Sequence, residues 1–224
     1  QSGGDLILTT NGTGDATVVN NAAIDFGASS VGGALSATAS AGTITQNGGT
    51  LTVAGTSAFT TSTADQAVTL SNTANALTGA VSLTTSGTAG DVTIDNGTTA
   101  LGVQGTVSGN LVLTSGEAIT DSAALSVLGT TTVTTDVADK TITLDSLAST
   151  GAVLLTTSGT TGDVVIDNGT TALDLGASTI SGTLSATSGA AAGIVDSGNI
   201  AVSGDVTLTT DANNGVINVG TLQQ

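Results

Sequence analysis

The stretch GAVSLTTSGTAGDVTIDNGTTAL at residues 79–101 returns 72 residues later as GAVLLTTSGTTGDVVIDNGTTAL at residues 151–173. Both copies open with a glycine, a short alternating run and threonine. That opening recurs nine times, at Gly4, Gly33, Gly55, Gly79, Gly109, Gly129, Gly151, Gly182 and Gly204. The intervals are 29, 22 and 24 residues, then 30, 20 and 22, then 31 and 22, so a long rung is followed by two short ones. Self-similarity at such a period marks stacked units, none of which can bury its apolar face alone. Three units, approximately 4–78, 79–150 and 151–224, fill residues 1–224 as a single solenoid segment, which the sequence suggests is a piece of a longer array.

Within each rung the apolar residues alternate. Two and four places after the glycine stand Leu6/Leu8, Val81/Leu83, Leu111/Leu113 and Val153/Leu155, a period of two that places them on one face of a strand. A second pair follows, such as Val92/Ile94 and Val164/Ile166, and then a third, such as Leu51/Val53 and Leu173/Leu175. Glycine density and the Thr/Val bias disfavour helix. The pattern predicts an all-β fold, a right-handed parallel β-helix (β-solenoid) of about nine coils with three short strands per coil. At about 4.8 Å per coil the rod would be roughly 40 Å long. The extra residues of the long rungs are expected to make a longer side, since Val92, Ile94, Leu101 and Val103 continue the alternation.

Composition narrows the chemistry. The 224 residues contain no Pro, Cys, His, Trp, Tyr or Met, and Lys140 is the single Lys or Arg. A chain that pairs above and below at every rung has reason to exclude proline, which cannot donate to a ladder. Without histidine, cysteine, arginine or tyrosine, most general bases, thiol nucleophiles and oxyanion-stabilising cations are missing, so no enzyme is expected. Carboxylate pairs remain, but the aromatics and cations of a sugar-cleaving groove do not. The net charge of −16 argues against nucleic acid and against anionic membrane surfaces. No apolar run approaches the length of a membrane span, so no membrane insertion is expected.

Three features are candidates for function. Thr9, Thr38, Thr60, Thr84, Thr114, Thr134, Thr156, Thr187 and Thr209 all stand five places after a rung glycine. In register they would form one outward threonine ladder along the shaft. Ice-binding β-helices resemble such an array but carry a Thr-x-Thr pattern, and here the companion threonine occurs only at Thr132 and Thr207. Asp91 and Asp95 share the outward face of one strand, as do Asp163 and Asp167 one unit later. These are weak candidates for Ca2+, which needs six to eight oxygens; no other cofactor is expected. Asn11, Asn96 and Asn168 each begin Asn-Gly-Thr, which is a turn signal and also an N-glycosylation acceptor pattern.

The Gly-x-Val-x-Leu-Thr-Thr rungs, the DNGTTAL turns and the absence of Cys and Pro resemble the repeats of large secreted adhesins of Gram-negative bacteria, the filamentous-haemagglutinin-like, two-partner-secreted exoproteins. The resemblance spans the whole chain. It implies a β-helical shaft on the bacterial cell surface, extracellular and non-catalytic, with its host or matrix ligand bound elsewhere. The alternative is a filament subunit, with copies of itself stacked head to tail through uncapped coils; ice binding is a distant third. Any binding loops are expected in the long-rung segments 90–101 and 162–173.

Overall fold

The computed structural model describes residues 4–224. It is a parallel β-solenoid with no helix among these residues. Ten strands follow one another along a first sheet: Ala16–Asn20, Leu35–Ala39, Ser57–Thr61, Val81–Thr84, Leu101–Val107, Ile119–Val127, Ile142–Leu144, Val164–Asp167, Leu184–Ser188 and Val206–Thr210. Ten strands in line make nine full turns. A second sheet runs beside it from Ile24–Phe26 to Ile217–Asn218. Ser29–Val31, Leu51–Val53 and Ala76–Leu77 form a third side, which in the later coils is supplied by Ser178–Ile180, Ile200–Val202 and Leu222–Gln223.

The predicted inward residues line the interior. Leu83, Val92, Ile94, Leu101, Val103, Leu113, Leu155, Val164 and Leu173 are buried, in a column of Leu, Ile and Val that runs through the coils. Phe26 and Phe59, the only aromatics, meet edge to face inside it with ring centroids 6.4 Å apart. In the last coil Ile217, at the equivalent position of the second sheet, stands 46% exposed.

The rung glycines set the corners. Gly33, Gly55 and Gly79 donate their N–H groups to the carbonyls of Gly14, Gly33 and Gly55, at 2.9, 2.9 and 3.2 Å. Gly109 and Gly129 donate to Gly90 and Gly109, and Gly182 and Gly204 to Gly162 and Gly182. Backbone therefore lies directly on backbone. A Cβ on Gly55 would fall 2.7 Å from the Gly33 carbonyl, and one on Gly151 would fall 2.5 Å from that of Gly129. Only glycine tolerates such an approach.

These stacks expose the arithmetic of the repeat. Coil length, read from facing residues, is 19 for Ala16 and Leu35, 22 for Leu35 and Ser57, 24 for Ser57 and Val81, and 20 for Leu111 and Thr131. A 72-residue repeat is thus three coils and one further side. Glycines 14, 33, 55 and 79 lead into the first sheet; 90, 109, 129 and 151 lead into the second; 162, 182 and 204 return to the first. The long rungs do not lengthen a side, as their spacing suggested. Their extra residues carry the chain around one more corner, so the next rung begins on a different face.

One corner is lost midway. Units one and three carry Gly-Ala-Ser after an inward residue, at residues 27–29 and 176–178. There Ser29 accepts from Leu8 N at 3.0 Å and donates to Gly27 O at 3.0 Å, bridging a break between strands; Ser178 does the same with Leu155 N and Gly176 O, at 3.1 and 2.9 Å. Unit two reads Gln104-Gly105-Thr106 instead, and Leu101–Val107 runs straight through with a register shift between Val103 and Gly105. Gly105 absorbs the kink at φ 114°.

Gly129 lies inside one of the two four-membered glycine stacks, where a Cβ would fall 2.6 Å from the Gly109 carbonyl oxygen. Gly129→Ala should lower stability by about 2 kcal/mol, since overpacking a tight site with no room to relax has that order of effect. Gly220→Ala, at a position open to 4 Å, serves as the tolerant control. Denaturant midpoints check both, and equal midpoints would refute the stacked corner.

Candidate functional site

The nine outward threonines do not form one ladder. Thr38, Thr60 and Thr84 face each other in the first sheet and continue to Thr106. Thr114, Thr134 and Thr156 form a second column in the second sheet, between Asp95 below and Thr179 above. Thr187 and Thr209 form a third, above Asp167, back in the first sheet. Thr9 bridges to Ser30. The step of each long rung to a different face breaks the array, so no continuous threonine face runs along the described residues.

The hydroxyl that the sequence reading missed is the next one along. The second residue of the threonine pair points inward: Thr61, Thr85, Thr135 and Thr157 are buried. Their hydroxyls donate to the carbonyls five residues on, of Gln66, Gly90, Lys140 and Gly162, at 3.0, 2.8, 3.3 and 2.7 Å. Each hydroxyl satisfies a carbonyl at a buried corner. The signal lay in the pairing itself, a polar residue at an inward position of an otherwise apolar alternation.

The acidic residues serve the same purpose. Asp91 Oδ1 accepts from Asn110 N at 2.7 Å, and Asp163 Oδ1 accepts from Thr183 N at 2.7 Å and from the Thr183 hydroxyl at 3.0 Å. Asp15, at the start of the first glycine stack, accepts from Ala34 N at 2.7 Å. Each joins a stack's first corner to the coil above. Asp95 and Asp167 instead close their own turns, accepting from Gly97 N and Gly169 N at 2.9 and 2.8 Å. The pair Asp91/Asp95 belongs to the second sheet and Asp163/Asp167 to the first, so the four candidates for Ca2+ lie on different faces. Among the described residues no three carboxylates are grouped as a metal site.

Asp65 and Asp139 are tighter clamps. Both hold left-handed backbone, φ 62° and 63°. One carboxylate oxygen of Asp65 receives Thr88 N at 2.7 Å and Ala89 N at 2.8 Å; that of Asp139 receives Thr160 N at 2.7 Å and Thr161 N at 2.9 Å. These amides hold both carboxyls below the ordinary aspartate value. Asp196 is held low by the Thr221 hydroxyl, then by the Gly220 and Thr221 amides. Asp121 goes the other way: burial pushes its carboxyl up, against the Ser146 and Asp145 amides and with some help from the Asp145 charge.

The asparagines are ladder pieces. Asn96 and Asn168 are fully buried. Asn96 accepts from Leu77 N at 2.8 Å and donates back to Leu77 O at 3.1 Å; Asn168 does so with Ser149 N and O, at 2.7 and 2.9 Å. Each side-chain amide thus takes the place of a peptide unit where a strand of the next coil would be. Asn75 likewise accepts from Leu51 N at 2.9 Å. In the folded chain neither Asn96 nor Asn168 can receive a glycan, whereas Asn11 is exposed. The long-rung segments 90–101 and 162–173 hold the strands Val92–Asp95 and Val164–Asp167; the exposed turns lie just before them, at 87–89 and 158–161, and these are the turns pinned by Asp65 and Asp139.

Lys140 pairs with Glu117 at 2.8 Å on the surface, an exposed pair of small energetic weight. Among the described residues two buried side-chain oxygens are left over, Ser57 Oγ and Asp174 Oδ1. Asp25 Oδ1 receives the Thr45 hydroxyl from the facing position at 3.0 Å. Asp174, its counterpart, faces Val195, and its Oδ1 is buried without a donor.

Two outcomes follow from these contacts. Val195→Thr should restore the missing donor and raise stability by about 1 kcal/mol; an unchanged or lower denaturation midpoint would contradict it. The carboxyls of Asp65 and Asp139 titrate below their unfolded value of 3.8. Their contribution is therefore present above that pH and is lost as pH falls through the folded values. Asp121, raised on folding, contributes with opposite sign, its ionised form being disfavoured in the coil. The double variant Asp65→Asn, Asp139→Asn should melt below the parent at neutral pH and converge with it under pH 3.8; a pH-independent gap in Tm would refute the clamp.

The family described as "Repeats of unknown function (DUF5649)" matches residues 13–84, 89–160 and 161–220. Each match starts one residue before a stack-founding glycine, Gly14, Gly90 or Gly162, and so is phased nine or ten residues later than units counted from Gly4, Gly79 and Gly151. Neither the curated proteins nor the solved structures contain a match to the chain. With three successive matches covering most of its length, the chain belongs to the family of DUF5649 repeats.

Proposed function

We propose that this chain is a shaft segment of a bacterial surface protein, a non-catalytic spacer that holds binding parts of a larger adhesin away from the cell. The carrying observation is that many of its carboxylates and all three buried asparagines bond one coil to the next. The Asp15, Asp65, Asp91, Asp139, Asp163 and Asp196 carboxylates, and the buried asparagine amides, all tie one coil to the next. A rod so bonded resists bending and extension along its axis, while a net charge of −16 keeps neighbouring shafts apart. The resemblance to secreted adhesin repeats supports an extracellular setting.

A second reading, end-to-end stacking, has one observation in its favour. The first two glycine stacks have four members, ending in Gly79 and Gly151, and each is followed by alternating residues and a threonine pair. Gly4-Asp5-Leu6-Ile7-Leu8-Thr9-Thr10 has that same form. It would fit as a fourth rung over Gly204, whether offered by a second copy or by a further repeat.

Small-angle scattering tests the shaft directly. Duplicating residues 89–160 should lengthen the particle by roughly 16 Å at constant cross-section, three coils and a side at the coil spacing. A rounder particle, or one of unchanged length, would refute it. Growth in length with protein concentration would favour stacking over the passive spacer. Antibodies to the chain should label intact producing cells; labelling only after lysis would overturn the extracellular placement.

A further inference from the structure

Asn11, Asn96 and Asn168 share the local sequence Asn-Gly-Thr, yet the fold treats them in two ways. The Nδ2 group of Asn96 donates to Leu77, Thr99 and Ala100 carbonyls, at 3.1, 3.0 and 2.9 Å, and that of Asn168 to Ser149, Thr171 and Ala172, at 2.9, 3.4 and 2.8 Å. The following N–H groups, of Gly97 and Gly169, are held by Asp95 and Asp167. Asn11 is exposed, in a turn closed by Gly14 N to Asn11 O at 3.2 Å. Among the described residues neither its side-chain amide nor the Gly12 N–H has a partner. Gly12 stands at φ 60° with nothing within 4 Å of a Cβ position, so the turn has room to move.

We propose that Asn11 is a site of spontaneous deamidation, and that burial keeps the identical tripeptides at Asn96 and Asn168 intact. The Gly12 backbone nitrogen attacks Cγ of Asn11. The new N–Cγ bond closes a five-membered succinimide, and ammonia leaves with the proton that the nitrogen gives up. Water then opens the ring. Attack at the side-chain carbonyl yields aspartate; attack at the backbone carbonyl yields isoaspartate, with the chain rerouted through the side-chain carbon. The net change is water consumed and ammonia released, with no oxidant involved. Glycine permits the attack because it has no Cβ to crowd the nitrogen. At Asn96 and Asn168 the same rotation of Cγ would break four hydrogen bonds in a dry site and strand their partners.

The consequence is local. The Gly12 carbonyl abuts Gly32 of the next coil, so isoaspartate, with one more backbone carbon, lengthens the turn at that contact. The modified residue also adds one negative charge.

The test is peptide mapping by mass spectrometry after incubating the folded chain at mildly alkaline pH in oxygen-labelled water. Label should enter at Asn11 roughly tenfold or more faster than at Asn96 or Asn168, because reaction at the buried sites waits on local unfolding. In urea the three rates should converge, since the attacking glycine and the threonine after it are the same at all three. Equal rates in the folded chain would overturn the proposal. So would the same inequality in urea, which would assign the difference to sequence rather than fold.

Discussion

Everything in this solenoid depends on how closely one coil can lie on the next at its corners. Sheet hydrogen bonding sets the vertical step. At the corners, where the chain turns and no strand separates the layers, the same step forces backbone onto backbone. Gly33 over Gly14, Gly55 over Gly33 and Gly79 over Gly55 meet that demand by having no side chain. The carboxylates of Asp15, Asp91 and Asp163 occupy the space beside the lowest glycine of each stack, where a Cβ on Gly33, Gly109 or Gly182 would strike them. Glycine and aspartate at a stack's foot are therefore one device: the first allows the approach and the second bonds across it.

The solenoid was legible in the sequence because inward positions of a strand admit few residue types. Leu83, Ile94, Leu113 and Val164 are readable as core from alternation alone. Register was harder. Counting from the rung glycine aligned the threonines correctly within a stack, as with Thr38, Thr60 and Thr84. It failed across the long rungs because nothing in the spacing distinguishes a longer side from an added corner. The polar residues were harder still. Asn96 and Asp95 are adjacent, yet one amide is buried in place of a strand and the other residue's carboxylate closes a surface turn. Their roles depend on what lies a coil away, 19 residues earlier for Leu77 and Asn96, and local pattern carries no trace of that.

The strongest acidic signal also changed meaning. Seventeen carboxyls on a chain with one cation suggest a binding surface for cations or a repulsive coat. In the coils several of these carboxyls are acceptors for turn amides that would otherwise point into solvent or into a neighbouring corner. A carboxylate suits the task because it accepts two N–H groups on one oxygen and has no donor of its own to satisfy. The left-handed backbone at Asp65 and Asp139, which few residue types other than glycine and asparagine adopt readily, places that oxygen against the next turn.

A repeat of three coils and one side has a further structural effect. Were the repeat a whole number of coils, equivalent residues of successive copies would stand over one another, and any surface group would form a stripe. Here Val81 lies in the first sheet and its counterpart Val153 in the second. Glycine stacks are consequently built within one repeat, from its own near-copies, and end where the next repeat begins. Contacts between repeats join different positions of the unit instead, Val81 with Val103 and, 72 residues on, Val153 with Leu175. Because each seam repeats those contacts, an array can grow by duplicating the unit while every seam remains satisfied. The faces then advance around the axis with each copy. A shaft that lengthens in this way presents the same chemistry in successive directions rather than along one edge, and so offers no long uniform stripe on which two shafts could align.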